Sequence, residues 1–167
     1  MRCSALPLAT KCRGSHHLTG GHGSELSRVG TAFHRAARAK VLQLPFDKES
    51  IRTEFGLTEQ EMRNIDYGIY NIEIRIPTGA IVIADSKEMT GFGGKLTGTP
   101  DLGIFYEKVL TMADWKSGWG DVEAPETNNQ LMGYAIMTLD ELVKAGQITA
   151  WEDVARIDLL IIQPKLN

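Results

Sequence analysis

Cysteine is nearly absent from this sequence: two residues, Cys3 and Cys12, in a chain of 167. Two thiols cannot ligate a four-cysteine iron–sulfur cluster, and a disulfide between them is disfavoured in a reducing compartment. Long apolar runs are missing too. No stretch reaches the roughly 18–20 residues that a membrane-spanning helix needs. The opening MRCSALPLATKCRGSHH has no long apolar core followed by a small-residue cleavage site. The expectation is a cytoplasmic protein that makes no use of a membrane. Internal repeats and low-complexity tracts are absent. GFGGKLTG (91–98) looks like a phosphate loop only superficially. It lacks G-x-x-x-x-G-K-[ST] and leads into a strand, so it reads as a turn. His16, His17 and His22, even with Cys12, lack the spacing of a tetrahedral zinc site.

A strong overall charge is also lacking: the net value is −3, which argues against bulk electrostatic binding of nucleic acid. Its distribution is uneven. Residues 1–40 carry seven Lys/Arg (Arg2, Lys11, Arg13, Arg28, Arg35, Arg38, Lys40) and one acid, Glu25, while the remainder is strongly acidic. Such a basic segment is either an ordinary solvated helix face or a local source of phosphate contacts.

Length and an ordinary apolar fraction of 43% suit one domain with a real core. Residues 1–23, rich in Gly, Ser, Thr and His, read as a loose lead-in, and 24–167 as a single domain. Helical spacing of Leu26, Val29, Phe33, Ala37 and Val41 predicts a first helix starting at Ser24. Residues 57–76 are ambiguous, because Ile72, Ile74 and Ile76 alternate like a strand. Met62, Ile65, Ile69, Ile72 and Ile76 form a helical stripe, and Thr58 with Glu61 resembles a capping box. A helix to about residue 76 is expected, ended by Pro77 and Gly79.

The period then changes. AIVIAD (80–85), KLTGTPDLGIFYE (95–107) and KVLTMADWK (108–116) read as strands, the last two joined by a tight turn near Glu107 and Lys108. Residues 126–146 read as a helix with Gly146 at its C-terminal cap. The apolar run in 155–166 suits a strand buried on both faces. The predicted fold class is α/β: a mixed central sheet flanked by helices.

Three charged residues interrupt the apolar strands: Asp101, Asp114 and Lys116. Burying such groups unpaired costs several kcal/mol. Period 2 puts Asp114 and Lys116 on one face, and a hairpin would bring Asp101 close to Asp114. A lone Asp-x-Lys is most often a solvated strand end. Two carboxylates and an ammonium together suit a hard divalent cation and a phosphate.

Pro100-Asp101 followed by Asp114-Trp115-Lys116 resembles the PD-(D/E)XK nuclease signature. Gly30-Thr31-Ala32-Phe33-His34 is similar to the G-x-x-x-H motif of RecB-like nuclease domains, and Gln130-Leu131-Met132-Gly133-Tyr134 to their Q-x-x-x-Y motif. Cys12-Arg13-Gly14-Ser15 resembles the C-P-G-S lead-in of phage-type members, and Ile162-Gln163-Pro164-Lys165-Leu166 their final core strand. One position departs: these domains often carry an acid one turn after the histidine, where Arg38 stands here. The resemblance implies a restriction-endonuclease-like core of order αβββαβ. It implies Mg²⁺ or Mn²⁺ held by His34, Asp101, Asp114 and the carbonyl of Trp115, with Lys116 as the catalytic lysine. Gln130 and Tyr134 would contact substrate or position that lysine. The implied activity is phosphodiester hydrolysis on DNA, most simply exonucleolytic, in phage or recombination processes, with a recombination protein or a second copy as partner. The alternative is a nuclease fold kept as a DNA-binding or assembly subunit. Trp115, Trp119 and Trp151 either stack on bases or pack in the core or its rim. Trp119, in the loop after Lys116, suits stacking best.

Overall fold

The computed structural model describes residues 25–84, 89–91, 94–116 and 124–162. They fall into two compact units. Of the described residues, one unit holds 79–84, 89–91, 94–114 and 124–160, and the other 25–78, 115–116 and 161–162. The chain is mixed α/β, with a mixed sheet whose strands follow three helices and are interrupted by a fourth.

The helical unit starts with α1 (Glu25–Val41), α2 (Lys48–Phe55) and α3 (Glu59–Glu73). Ala32, Phe33, Ala36 and Ala37 of α1 are completely buried, and so is Ile72 of α3. Small side chains on this face let α1 lie close against both α2 and α3. The expected capping box at Thr58 is formed: the Glu61 amide donates to Thr58 Oγ1 at 3.2 Å, and the Thr58 amide to Glu61 Oε2 at 2.7 Å. Arg28 ties the three helices together. Its guanidinium donates to the carbonyls of Phe55 and Gly56 at the end of α2, and pairs with Glu61 at the start of α3 at 2.9 Å. It therefore satisfies carbonyls that a helix end leaves without intrahelical partners.

Strands β1 (Ile81–Ala84), β4 (Leu102–Tyr106), β5 (Val109–Trp115) and β6 (Arg156–Ile162) make a four-stranded sheet in the order β1-β4-β5-β6. The β1–β4 and β4–β5 pairs are antiparallel. Along β5 and β6 the partner numbers rise together, from Ala155 N–H to the Lys108 carbonyl through Lys116 N–H to the Ile162 carbonyl. That pair is parallel, as a crossover through a helix requires. Strands β2 (Met89–Gly91) and β3 (Leu96–Gly98) form a separate two-stranded sheet. Helix α4 (Asn129–Lys144) packs on it. A Cβ on Gly91 would lie 2.8 Å from Met137 Cγ, so that close approach needs glycine.

Several expectations change. Helix α2 was not anticipated. It has eight residues and buries only Ile51, so it has no apolar stripe; its signals are the Asp47 N-cap and the left-handed Gly56. Helix α3 does form over the ambiguous segment, but ends at Glu73 rather than near 76. The single strand expected at 95–107 is broken into β3 and β4, because Pro100 has no N–H to give a ladder. Strand β6 is not buried on both faces. It lies at the end of the sheet order, and Ile157 is 43% exposed. Helix α4 does end on the expected glycine: Gly146, with φ of 68°, follows the cap residue Ala145, and its N–H donates to the Val143 carbonyl at 3.0 Å. Residues 1–23, with both cysteines and the three early histidines, lie outside the described residues.

Candidate active site

The predicted site residues divide between the two units. Asp101, Asp114, Gln130 and Tyr134 belong to the sheet unit, and His34, Trp115 and Lys116 to the helical unit. Trp119 lies outside the described residues.

In the sheet unit the β4–β5 hairpin brings the two aspartates together. Its two-residue turn, Glu107-Lys108, has φ of 47° and 62°, the doubly positive geometry that matches strand twist. This turn fixes the register at Tyr106 opposite Val109, and the ladder runs to Leu102 opposite Ala113. One step further along the same register, Asp101 comes opposite Asp114. Pro100, itself buried, ends the ladder there. Asp114 is 2% exposed and Asp101 9%. Two carboxylates have thus been taken out of water at one end of a hairpin, where like charges opposite each other are destabilising.

Helix α4 supplies the next layer. Asn128 caps it, its side-chain oxygen accepting the Leu131 amide at 3.0 Å. Gln130 and Tyr134 follow one turn apart on the same face. Gln130 Nε2 donates to Asp114 Oδ1 at 3.4 Å and to Tyr134 Oη at 3.1 Å. Tyr134 is buried. The amide therefore bridges a carboxylate on β5 and a phenol on its own helix, and it restricts how Asp114 can turn. Asn128 was missed in the sequence. Its signal is a good N-cap residue directly before the apolar periodicity of α4.

In the helical unit, Trp115 is 2% exposed and makes T-shaped contacts with Phe33 (centroids 5.9 Å, 80°) and His34 (6.4 Å, 85°). This indole packs in the core and is not a platform for bases. Trp151, at 40% exposure, is a rim residue. His34 is half-buried on α1, oriented by its edge contact with Trp115. The Lys116 backbone N–H donates to the Ile162 carbonyl at 2.9 Å, which anchors the lysine at the end of β5.

The donor chemistry of the aspartate pair fits a hard divalent cation, which takes carboxylate, carbonyl and water oxygens. Among the described residues, no group of three or more His, Cys, Asp or Glu side chains is assembled to hold a metal. The pair by itself offers two carboxylates, with Gln130 as the orienting neighbour of one. A surface groove of about 530 Å³ lies elsewhere, lined by residues that include Ala39, Leu44, Phe46 and the ion-paired Lys40 and Glu73. None of the predicted site residues lines it.

No match was found among curated proteins or among solved structures. A family model does match, over residues 9–167, and the chain belongs to that family, described as "Protein of unknown function (DUF2800)".

Proposed function

We propose that this chain is a metal-dependent nuclease that hydrolyses phosphodiester bonds in DNA, most simply from an end, on a restriction-endonuclease-like core. The observation that supports this reading best is the buried Asp101 and Asp114 pair at the end of the β4–β5 hairpin, with Gln130 on Asp114. Two carboxylates facing each other across a strand pair repel, and a divalent cation would offset that repulsion. Asp101 and Asp114 would hold Mg²⁺ or Mn²⁺; His34 and the carbonyl of Trp115, which the resemblance to RecB-like domains adds as ligands, belong to the other unit. When bound, such an ion polarises a phosphoryl oxygen and lowers the pKa of a water. Lys116 then stabilises charge developing on the phosphate or orients the attacking water. Gln130 keeps Asp114 in a productive rotamer.

The test is cleavage of linear DNA with Mg²⁺ or Mn²⁺, with RNA and nucleotides compared in the same assay. Lys116→Ala and Asp114→Asn are expected to slow cleavage by roughly 10²–10³-fold, the effect of losing one preorganised charge. Unchanged cleavage in both variants would sink the reading. A second reading, a nuclease fold retained for DNA binding or assembly without useful turnover, is favoured by the lack of a third acidic or histidine ligand group among the described residues. It predicts DNA retention with no cleavage, and no Mn²⁺ binding that depends on Asp101 and Asp114.

A further inference from the structure

We propose that the exposed face of α3 binds a second copy of this chain, antiparallel, in a two-fold symmetric dimer. The inference goes beyond the nuclease reading and does not depend on it. Helix α3 carries two stripes. Met62, Ile65, Ile69 and Ile72 are buried within the helical unit. Gln60, Arg63, Tyr67, Tyr70 and the cap residue Ile74 run along the opposite face, and all five are exposed. They are spaced alternately three and four residues apart, the repeat of a seam between two packed helices. Tyr67 is 43% exposed, and Tyr70 and Ile74 are each 59% exposed. Single scattered apolar side chains need no explanation on a surface, whereas a contiguous line of large ones marks an interaction face.

Polar groups along the seam select the partner and its direction. An antiparallel copy centred between Tyr67 and Tyr70 sets Tyr67 against Tyr70 of the second copy. By symmetry it also sets Tyr70 against Tyr67 of that copy, as an isologous contact requires. The same register puts Arg63 beside Ile74 of the second copy, at the end of its α3. That helix has no basic residue in its last turn, and a cation there complements the helix dipole. A parallel copy would instead set Arg63 against Arg63. Asn64 and Asn71 also come opposite each other. Asn64 Oδ1 accepts from Gln60 at 3.0 Å, and Asn71 Nδ2 donates to the Tyr67 carbonyl at 2.8 Å. Asn64 thus has its amide NH₂ to give and Asn71 its oxygen to accept, a matched donor and acceptor. On the other flank Asp66 is paired with Lys48 at 2.7 Å and Glu73 with Lys40 at 2.8 Å. Each of these pairs is neutral, so the two copies meet without like-charge repulsion.

A helix of about 22 Å gives a contact at the low end of interface sizes, so the dimer is expected to be weak. Sedimentation equilibrium of the full chain is run from about 1 to about 300 µM, which brackets a micromolar Kd. The mass should rise with concentration from 18.4 kDa toward twice that value. Tyr70→Asp should raise the Kd by at least about tenfold, the loss of one aromatic anchor. Its folding is checked by circular dichroism, and Tyr67→Ser, a milder change in the same seam, should act in the same direction. Tyr106→Asp, at an exposed tyrosine of the sheet unit, should leave the Kd unchanged. Direction is read with a short thiol cross-linker in chains that carry Cys3→Ser and Cys12→Ser. A mixture of Arg63→Cys and Ile74→Cys chains should link. Neither should link alone, because like positions in the antiparallel register are offset by about 16 Å along the axis. The proposal is overturned by a wild-type mass that stays at 18.4 kDa throughout, or by seam variants that dimerise as wild type does. It is equally overturned by a mixture that fails to link, or by Arg63→Cys chains that link to one another.

Discussion

Acidic side chains do different things in the two units. In the helical unit Glu54, Glu61, Asp66 and Glu73 are at or near the surface, each facing a cation: Arg35, Arg28, Lys48 and Lys40. They are explained by architecture: Glu61 closes the capping box of α3, all four pair across helices, and each such pair contributes a fraction of a kcal/mol. In the sheet unit Asp101 and Asp114 are buried opposite each other at the end of a hairpin, and Gln130 donates to Asp114. Neither aspartate caps a helix. The contrast separates surface acids paired across helices from two buried acids that face each other, and it can be tested by removing one of each kind.

The largest effect is expected at Asp114. With metal at a hundred times its dissociation constant, wild type should gain about 2.7 kcal/mol of stability. For a chain of this size that is a rise in Tm of roughly 5–10 °C. Asp114→Asn should lose this rise and, in EDTA, should melt no lower than wild type, because the repulsion between it and Asp101 has been removed. Glu61→Gln should show the opposite pattern, melting lower in EDTA and keeping its full response to Mn²⁺. If Asp114→Asn melts well below wild type in EDTA, the buried aspartate is a structural acceptor and the contrast collapses.

A smaller effect is expected from Gln130, which touches the proposed site only through Asp114 and Tyr134. Residues that orient a metal ligand typically cost 10–100-fold in metal affinity or activity when lost. Gln130→Leu should therefore weaken Mn²⁺ binding, followed by calorimetry, by about that factor, with little change in Tm in EDTA. A Gln130→Leu chain that binds Mn²⁺ as wild type does would mean that the amide serves packing alone.

Legibility in the sequence followed the same division. The capping box at Thr58 and Glu61 and the Glu107-Lys108 turn were readable because each is a local pattern of a few residues with one physical solution. The turn then sets the hairpin register, so the approach of Asp101 to Asp114 was readable as well. What was not readable depends on partners far along the chain. Helix α2 is fastened by Arg28 from another helix rather than by its own stripe. The apolar run of β6 suggested a central strand, but sheet order put it at an edge. The link from Gln130 to Asp114 joins a helix to a strand 16 residues away, and spacing alone gave Gln130 a face but not a partner. Likewise, nothing local distinguished Trp115 as a core residue from Trp115 as a stacking surface until Phe33 and His34 were seen against it.

The smallest expected effect is the pH response of the helical unit, and its sign can be derived. Glu61 is held below its ordinary value of 4.5, chiefly by the Thr58 backbone N–H that donates to it. Partial burial opposes this; the Thr58 hydroxyl and the Arg28 guanidinium reinforce it. A carboxylate whose folded pKa is depressed binds its proton more weakly than in the unfolded chain. Its contribution is present above the unfolded value, near pH 4.5, and is lost as the pH falls through the lower folded value. Stability measured by denaturant unfolding should therefore decline on acidification below about pH 5. Glu61→Gln should flatten that limb by no more than about 1 kcal/mol, the scale of one partly exposed cap and ion pair. Arg28→Met should flatten it less, because the Thr58 amide, the larger cause, remains. An acid limb unchanged in Glu61→Gln would show that the pH sensitivity of the chain lies with other carboxylates, and would leave the helical unit's surface acids without a measurable part in its stability.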